Sequence, residues 1–478
     1  SAKERVIEQP PYPTETAIAP LAPTGVPAYH TSAMKMRTAI SPRIAFIDLT
    51  FNWPPVGGCW IDAYHVIQGL QDRGASVCLF TPDFQTYYPR GHVPVNLPFH
   101  TVCIPFNRLS FNFMTVMKRF RHAVEQYKPD LIFLMDGYFM KNHLLTAFGP
   151  ERCFLRFYSF ELLCVNLHYY RYHENRICNQ GYFESPRECH RCWFRRVPAL
   201  GRALQIALGF KEKHPVLHFS QEYLFSGAFS ESYRHKLLDN FSRLQGAIVY
   251  NPFLRDRLAP YVKNIHVIPS GVDCERYTPA IPPADHYPVK IFLPGRANDP
   301  LKGLPVLIEA GDWLAREGLS FEIHYTAALD CPSTRPWLIN QGWVDQDVLP
   351  RLYQQMDIVA VPSTWIEPFG ITAPEAMAAG LPVVASRIGG LQQTVEHEKT
   401  GILVEPGNPH ALAEALRRLI LDPDLRARFG NAGRERVLDH YNWNRILDLY
   451  YVPLVDEAME RLPRQSPLIR AGIDAKSK

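Results

Sequence analysis

From Pro42 onward, short unbroken apolar runs alternate with longer stretches in which apolar residues return every three or four positions. "RIAFIDLT", a glycine-containing loop, "CWIDAYHVIQGLQDRG" and "ASVCLFTP" read in turn as strand, loop, helix and strand. Runs without polar alternation are strands covered on both faces, the mark of a parallel sheet between helices. Further strands are expected at "HTVCIPF", "DLIFLMDG", "CFLRFYS", "PVLHFS" and "GAIVYNP", all in one sheet. Four prolines between Pro279 and Pro288 mark a linker. Beyond it a second series begins, with strands at "VKIFLPG", "SFEIHYTA", "DIVAVPS", "LPVVAS" and "TGILVEP" and helices between them. The pattern predicts an α/β protein with two doubly wound, Rossmann-like domains facing each other across a cleft. The expected divisions are an extension over 1–41, a first domain over 42–272 with a cysteine-rich insertion near 164–213, a linker over 273–288, a second domain over 289–445 and a helical end over 446–478.

Composition narrows the class. With 478 residues there is room for more than one core. At 46% hydrophobic and 21% charged residues, without an apolar run long enough for a membrane span, a soluble body is expected. A net charge of +4 is too mild to imply nucleic acid. The Pro-, Ala- and Thr-rich start lacks the features of a secretory signal and reads as flexible. Ten cysteines, six of them scattered among apolar segments, fit a reducing, cytoplasmic compartment.

The candidate chemistry falls in loops that follow strands, where open α/β sheets bind ligands. In "EPFGITAPEAMAAG" a loop becomes a helix with Thr372 as its expected N-cap and Pro374 in the first turn. Amides near Gly370, Ile371 and Thr372 could hold a diphosphate there. Glu375 suits ribose hydroxyls, unless it merely complements the helix dipole, and Glu367 suits the hydroxyls of a sugar. "FLPGRANDPLKG" carries Arg296 and Lys302 between Gly295 and Gly303, two cations for a phosphoryl leaving group or an ordinary solvated face. "PPVGGCW" places Gly57 and Gly58 where backbone can approach a ligand, or where a tight turn simply needs them. The Asp-x-Asp segments Asp345–Asp347 and Asp422–Asp424 do not directly follow apolar strands and read as surface acids.

"VIPSGVDCERYTP", "GRANDPLKG", "WIEPFGITAPEAMAAGLPVVASRIGG" and "TGILVEPGNPHALAEAL", in this order, resemble the retaining nucleotide-sugar glycosyltransferases of the GT-B fold, family four. The resemblance is dense from Ile265 to Trp443 and thin before it. It implies a first domain for the acceptor and a second for the donor, with Glu367 near the donor sugar and Glu375 on the ribose. Arg296 and Lys302 would stabilise the departing diphosphate, the amides of Phe369, Gly370, Ile371 and Thr372 would meet sugar and phosphate, and the helix near Trp443–Tyr451 would cross back onto the first domain. Two departures stand out. Tyr158, Ser159, Phe160 and Glu161 occupy the place of a His-Asp-Tyr segment, which makes Tyr158 and Glu161 the acceptor-side candidates. Gln393 stands where a glutamate is usual.

The function expected is transfer of a sugar, with retention, from a UDP-, GDP- or ADP-linked donor to a hydroxyl on a saccharide, lipid-linked or protein acceptor, in polysaccharide or other glycoconjugate synthesis. Cations and amides would do the work of a catalytic metal, so none is expected. An epimerase or phosphorylase of the same fold and a non-catalytic sugar-nucleotide-binding protein are the rival readings. Cys164, Cys178, Cys189 and Cys192 could hold a structural zinc, pair as disulfides or remain thiols, with His190 as the reserve ligand. The basic stretches "FRRVPALGRALQIALGFKEKH" and "VMKRFRHAVEQYK" suit peripheral contact with the cytoplasmic membrane face, or plain amphipathic helices.

Overall fold

The computed structural model describes residues 34–461 apart from 38–40, 56, 85–92, 94–95, 108, 197–222, 282–285 and 328–333. Most of the N-terminal extension, the strand expected at "PVLHFS", most of the basic stretch after Phe194 and the tail beyond Arg461 lie outside the described residues.

The first half contributes β1 (Arg43–Ile47), β2 (Ser76–Asp83), β3 (His100–Pro105), β4 (Leu131–Leu134), β5 (Cys153–Arg156), a separate antiparallel hairpin of β6 (Tyr170–Arg171) and β7 (Arg176–Ile177), then β8 (Gly246–Val249) and β9 (Ile265–Val267). Apart from the hairpin they form one sheet in the order β3-β2-β1-β4-β5-β8-β9, every pair parallel. Both faces are covered, which explains the unbroken apolar runs. Ala45, Ile47, Ile132 and Leu134 pack on one side with Phe120, Met140 and Phe241 from the helices Phe113–Tyr127, Met140–Phe148 and Glu231–Arg243. Ile44, Phe46, Leu131 and Phe133 pack on the other with Val66 and Ile67 of the helix Gly58–Asp72. Each such side chain contributes about 1.5–3 kcal/mol by leaving water.

The second half forms another all-parallel sheet from β10 (Val289–Leu293), β11 (Phe321–Tyr325), β12 (Leu338–Asn340), β13 (Ile358–Val361), β14 (Val383–Ser386) and β15 (Gly401–Val404), in the order β12-β11-β10-β13-β14-β15. β9 and β12 were not anticipated. Each is three half-buried residues at a sheet edge, too short and too mixed to leave an apolar run.

In each sheet the strand order reverses beside its first strand, between β1 and β4 and between β10 and β13. Loops leaving those neighbours diverge to opposite faces and open a crevice. After the helix Pro423–His440 the chain returns to the first sheet. The Val272 amide donates to Tyr441 O at 2.6 Å, so the outgoing and returning strands of the connection lie side by side. Tyr451, Val452 and Val455 then pack against the β1–β4 face, and Arg73 Nε holds Asp448 at 2.6 Å.

Candidate active site

The loop leaving β10 runs from Gly295 to Gly303, both at positive φ (95° and 82°). A Cβ on Gly303 would lie 1.9 Å from Pro362 O, so only glycine lets this loop sit against the exit of β13. That contact delivers Lys302 to Glu367. Glu367 Oε1 accepts from Lys302 Nζ (2.8 Å), Ser363 Oγ (2.7 Å) and Trp365 Nε1 (3.0 Å), and Glu367 is 4% exposed. Three donors on one oxygen fix the carboxylate rigidly. Arg296 is exposed and has no ion pair among the described residues. Its charge favours the ionised form of the Cys59 thiol, which burial pushes well above its ordinary value.

The 367–372 loop is shaped from behind by Gly389 and Gly390. Cβ atoms there would lie 2.3 Å from Glu367 O and 2.6 Å from Phe369 Cα, and the Gly390 amide donates to Glu367 O at 2.7 Å. Gly370 has φ 78°. Thr372 is the first residue of the helix Thr372–Ala378, not its N-cap; Ile371 precedes it in helical conformation without a side-chain cap. Among the described residues the amides of Gly370, Ile371 and Thr372 have no acceptor. Glu375 is buried, with Oε1 taken by Tyr277 OH (3.2 Å) and Oε2 by Tyr353 OH (3.1 Å). Burial pushes its carboxyl up to about 7 against the lowering effect of the two phenols.

The first domain meets this loop directly. Gly57 is extended, Gly58 opens its helix, and a Cβ on Gly58 would lie 3.4 Å from Ile371 Cγ2. Tyr250 stacks on Phe369 with centroids 5.4 Å apart, and Asn251 Nδ2 donates to Pro368 O. Tyr158 OH donates to Asp62 Oδ2 at 3.2 Å, and Asp62 Oδ1 is 3.0 Å from Arg156 Nη2 in a pair whose side chains are each 1% exposed. Burial, then the Asp62 charge, pushes the Tyr158 phenol well above its ordinary value, so it acts as a fixed donor. Glu161, the other acceptor-side candidate, is a buried ion-pair partner. It is 1% exposed, paired with Lys141 Nζ at 2.7 Å and capped by the amides of Tyr158 and Ser159. A buried cation twenty residues upstream in the chain claimed it.

Cys164, Cys178, Cys189 and Cys192 line one small cavity of about 20 Å³ in the insertion, all as free thiols. Cys189 and Cys192 lie on the helix Pro186–Arg196, and Asn166 Nδ2 donates to Cys192 Sγ at 3.0 Å. Among the described residues no group of three or more His, Cys, Asp or Glu side chains is arranged to hold a metal ion. Asp347 is exposed and paired with Arg276, while Asp422 caps the helix Pro423–His440 through Leu425 N. Gln393 offers its backbone carbonyl to Arg436 Nη2 (2.7 Å) and Tyr441 OH (2.8 Å).

Sequence reasoning missed Ser363 and Trp365, which orient Glu367, Tyr277 and Tyr353, which hold Glu375, and Tyr250 and Asn251, which touch the loop from the other domain. Ser363 and Trp365 lie four and two residues before Glu367 in the same loop, whereas the others reach their partners across space from distant segments. Asn251, two residues after the strand "GAIV", carried a signal as a polar residue near a strand exit.

Two parallel doubly wound domains with their crevices face to face define a GT-B architecture. A sucrose-phosphate synthase from Thermosynechococcus elongatus shares the fold at a TM-score of 0.60 and 20% identity, over 88% of this chain and 100% of that one. Anabaena Alr3699/HepE, solved in complex with UDP-glucose, does so at 0.57 and 16%, again over 88% and 100%. Residues 338–436 match the family Glycosyl transferases group 1. An uncharacterized glycosyltransferase of Methanocaldococcus jannaschii is 44% identical over 22% of this chain and 27% of its own length. A D-inositol 3-phosphate glycosyltransferase of Xylanimonas cellulosilytica is 33% identical over 39% and 51%. The matches thus span between about a quarter and half of these curated relatives. Among the described residues no helix is long and apolar enough to cross a membrane.

Proposed function

We propose that the protein is a retaining glycosyltransferase that binds a nucleotide sugar in the second domain and transfers the sugar to a hydroxyl held by the first. The observation that carries this reading is the arrangement at the β10–β13 reversal, where Lys302 is locked to Glu367 at 2.8 Å and the exposed Arg296 lies on the same Gly295–Gly303 loop. A diphosphate entering the crevice meets two cations and the unpaired amides of Gly370, Ile371 and Thr372, a preorganised set for charge that grows on a leaving group. Glu367, with Oε1 saturated, keeps Oε2 for sugar hydroxyls. Glu375 binds the ribose once the tyrosine hydroxyls share it.

The donor is UDP-, GDP- or ADP-linked; Alr3699/HepE, of the same fold, was solved with UDP-glucose. The acceptor hydroxyl sits on a saccharide, a lipid-linked or a protein substrate, and the reaction runs in the cytoplasm.

The test is nucleotide release from UDP-, GDP- and ADP-sugars with and without acceptors, using Lys302→Ala and Glu375→Ala as comparisons. Acceptor-dependent release that collapses in both variants is expected. Equal rates in wild type and variants would remove the assigned roles.

A further inference from the structure

The insertion between β5 and β8 touches the second domain beside Glu367. His168 meets the ring of Trp365 with centroids 4.9 Å apart and planes at 83°, the edge-to-face geometry that aromatic pairs favour. Trp365 lies in the loop leaving β13, and its Nε1 donates to Glu367 Oε1 at 3.0 Å while its ring lies 5.4 Å from Lys302 Nζ. One indole therefore meets an imidazole of the insertion, the glutamate assigned to the donor sugar and a cation assigned to the leaving group. His168 is itself held, with Tyr172 OH 2.8 Å from its Nδ1 and the Tyr172 ring 5.4 Å from that of Tyr170 on the hairpin.

The backbone on either side of His168 is bent against its own preference. Leu167 and Tyr169 have φ of 68° and 50°, a region where a bulky side chain crowds its own main chain. The surroundings impose this shape. Leu167 N donates to Cys164 O at 3.0 Å, Leu167 O accepts from Phe160 N (3.3 Å) and Ser159 Oγ (2.5 Å), and Tyr169 O accepts from Cys178 N at 2.6 Å. Leu167 and Tyr169 are buried in the same apolar cluster as Trp365, and His168 between them is left half-buried. Strain on both flanks of one residue, held by four hydrogen bonds, fixes where that residue is presented. An indole turns about two side-chain torsions, and the contact with His168 restricts that turning and with it the direction of the N–H.

We propose that His168, held by Tyr172, is a positioning residue for Glu367: it steadies the Trp365 indole so that its N–H stays on Oε1 and Oε2 is left for the hydroxyls of the donor sugar. This rests on the glycosyl-transfer reading above. The insertion thereby completes the sugar pocket of the other domain, and the pocket is whole only while the two domains are together. The nucleotide is assigned to Glu375 and to the amides and cations of the second domain, none of which depends on Trp365. Loss of the contact therefore acts on the sugar and leaves the nucleoside diphosphate alone.

The experiment is calorimetry on the full chain, without acceptor, using UDP, GDP and ADP and their glucose, galactose, mannose and N-acetylglucosamine derivatives. For the nucleotide that wild type binds most tightly, the readout is the Kd of the nucleotide divided by the Kd of its sugar derivative, taken for the sugar with the largest ratio. His168→Ala should lower this ratio about threefold to tenfold, the worth of an aromatic pair, with the Kd of the nucleotide within twofold of wild type. His168→Gln, which can still reach Tyr172 OH but presents no ring, should do the same and replaces the alanine variant if melting curves show that one unfolded. Trp365→Phe keeps a ring against His168 but has no N–H, so adding His168→Ala to it should change the ratio less than twofold. A folded His168 variant with a ratio within twofold of wild type overturns the proposal alone. So does a threefold or larger effect of His168→Ala that persists beside Trp365→Phe. A wild-type chain that binds none of the nucleotides overturns the donor reading instead.

Discussion

Replacing Lys302 by alanine removes one ammonium from the place where the β10 and β13 loops meet. At an effective dielectric near 20, a unit charge about 4 Å from another is worth about 4 kcal/mol. Expressed wholly in the transition state, at 1.36 kcal/mol per tenfold, that is about a 10³-fold loss in kcat/KM. The cost to stability is smaller. Glu367 keeps its bonds from Ser363 and Trp365, and the Lys302 side chain is 26% exposed, so water replaces part of what is lost. A destabilisation of about 1–2 kcal/mol follows, within the range for a partly screened charged hydrogen bond. The assay is steady-state nucleotide release at saturating acceptor, read beside the thermal midpoint, with Arg335→Ala as control. Arg335 pairs with Asp312 at 2.7 Å at a half-exposed position and has no part in the crevice. Lys302→Arg should restore the charge but not the geometry, and should recover only part of the rate. If Lys302→Ala keeps kcat/KM within tenfold of wild type while remaining folded, the leaving-group role is wrong.

Two further outcomes follow from buried charges. Glu375 has a folded-state value of about 7 against an ordinary 4.5, so the folded protein holds this proton longer than the unfolded chain; its contribution to stability is complete below about 4.5 and declines as pH rises to about 7. Glu375→Gln should therefore reduce the drop in melting midpoint between pH 5 and 8, and an unchanged slope would contradict the assignment. Asp62→Ala leaves the Arg156 guanidinium buried with, among the described residues, only Ile268 O as a hydrogen-bond acceptor and takes the acceptor from Tyr158 OH. Chemical denaturation should show a loss of about 3–5 kcal/mol, as for other uncompensated buried charges, and a loss below about 1 kcal/mol would mean that water reaches the pair.

The long parallel strands were legible because both of their faces are covered, which leaves uninterrupted apolar runs such as "IAFI" and "LIFL". The three-residue edge strands β9 and β12 left no such trace. Arg296, Lys302 and Glu367 could be found because glycine and proline punctuate the loops that carry them. Their mutual arrangement could not, since the bond from Lys302 to Glu367 spans 65 positions and depends on the close approach of Gly303 to Pro362. Glu161 shows the converse: its place beside Tyr158 in the chain gives no hint of its buried partner Lys141, on the helix Met140–Phe148.

The returning chain that lays Tyr451, Val452 and Val455 on the first sheet means that the order of residues and the order of folded bodies differ. A hybrid enzyme spliced once, near the linker, would inherit its first body from one parent and the outer layer of that body from the other. Exchange of donor preference between such proteins should therefore work only with two junctions, the last helical stretch travelling with the body it covers.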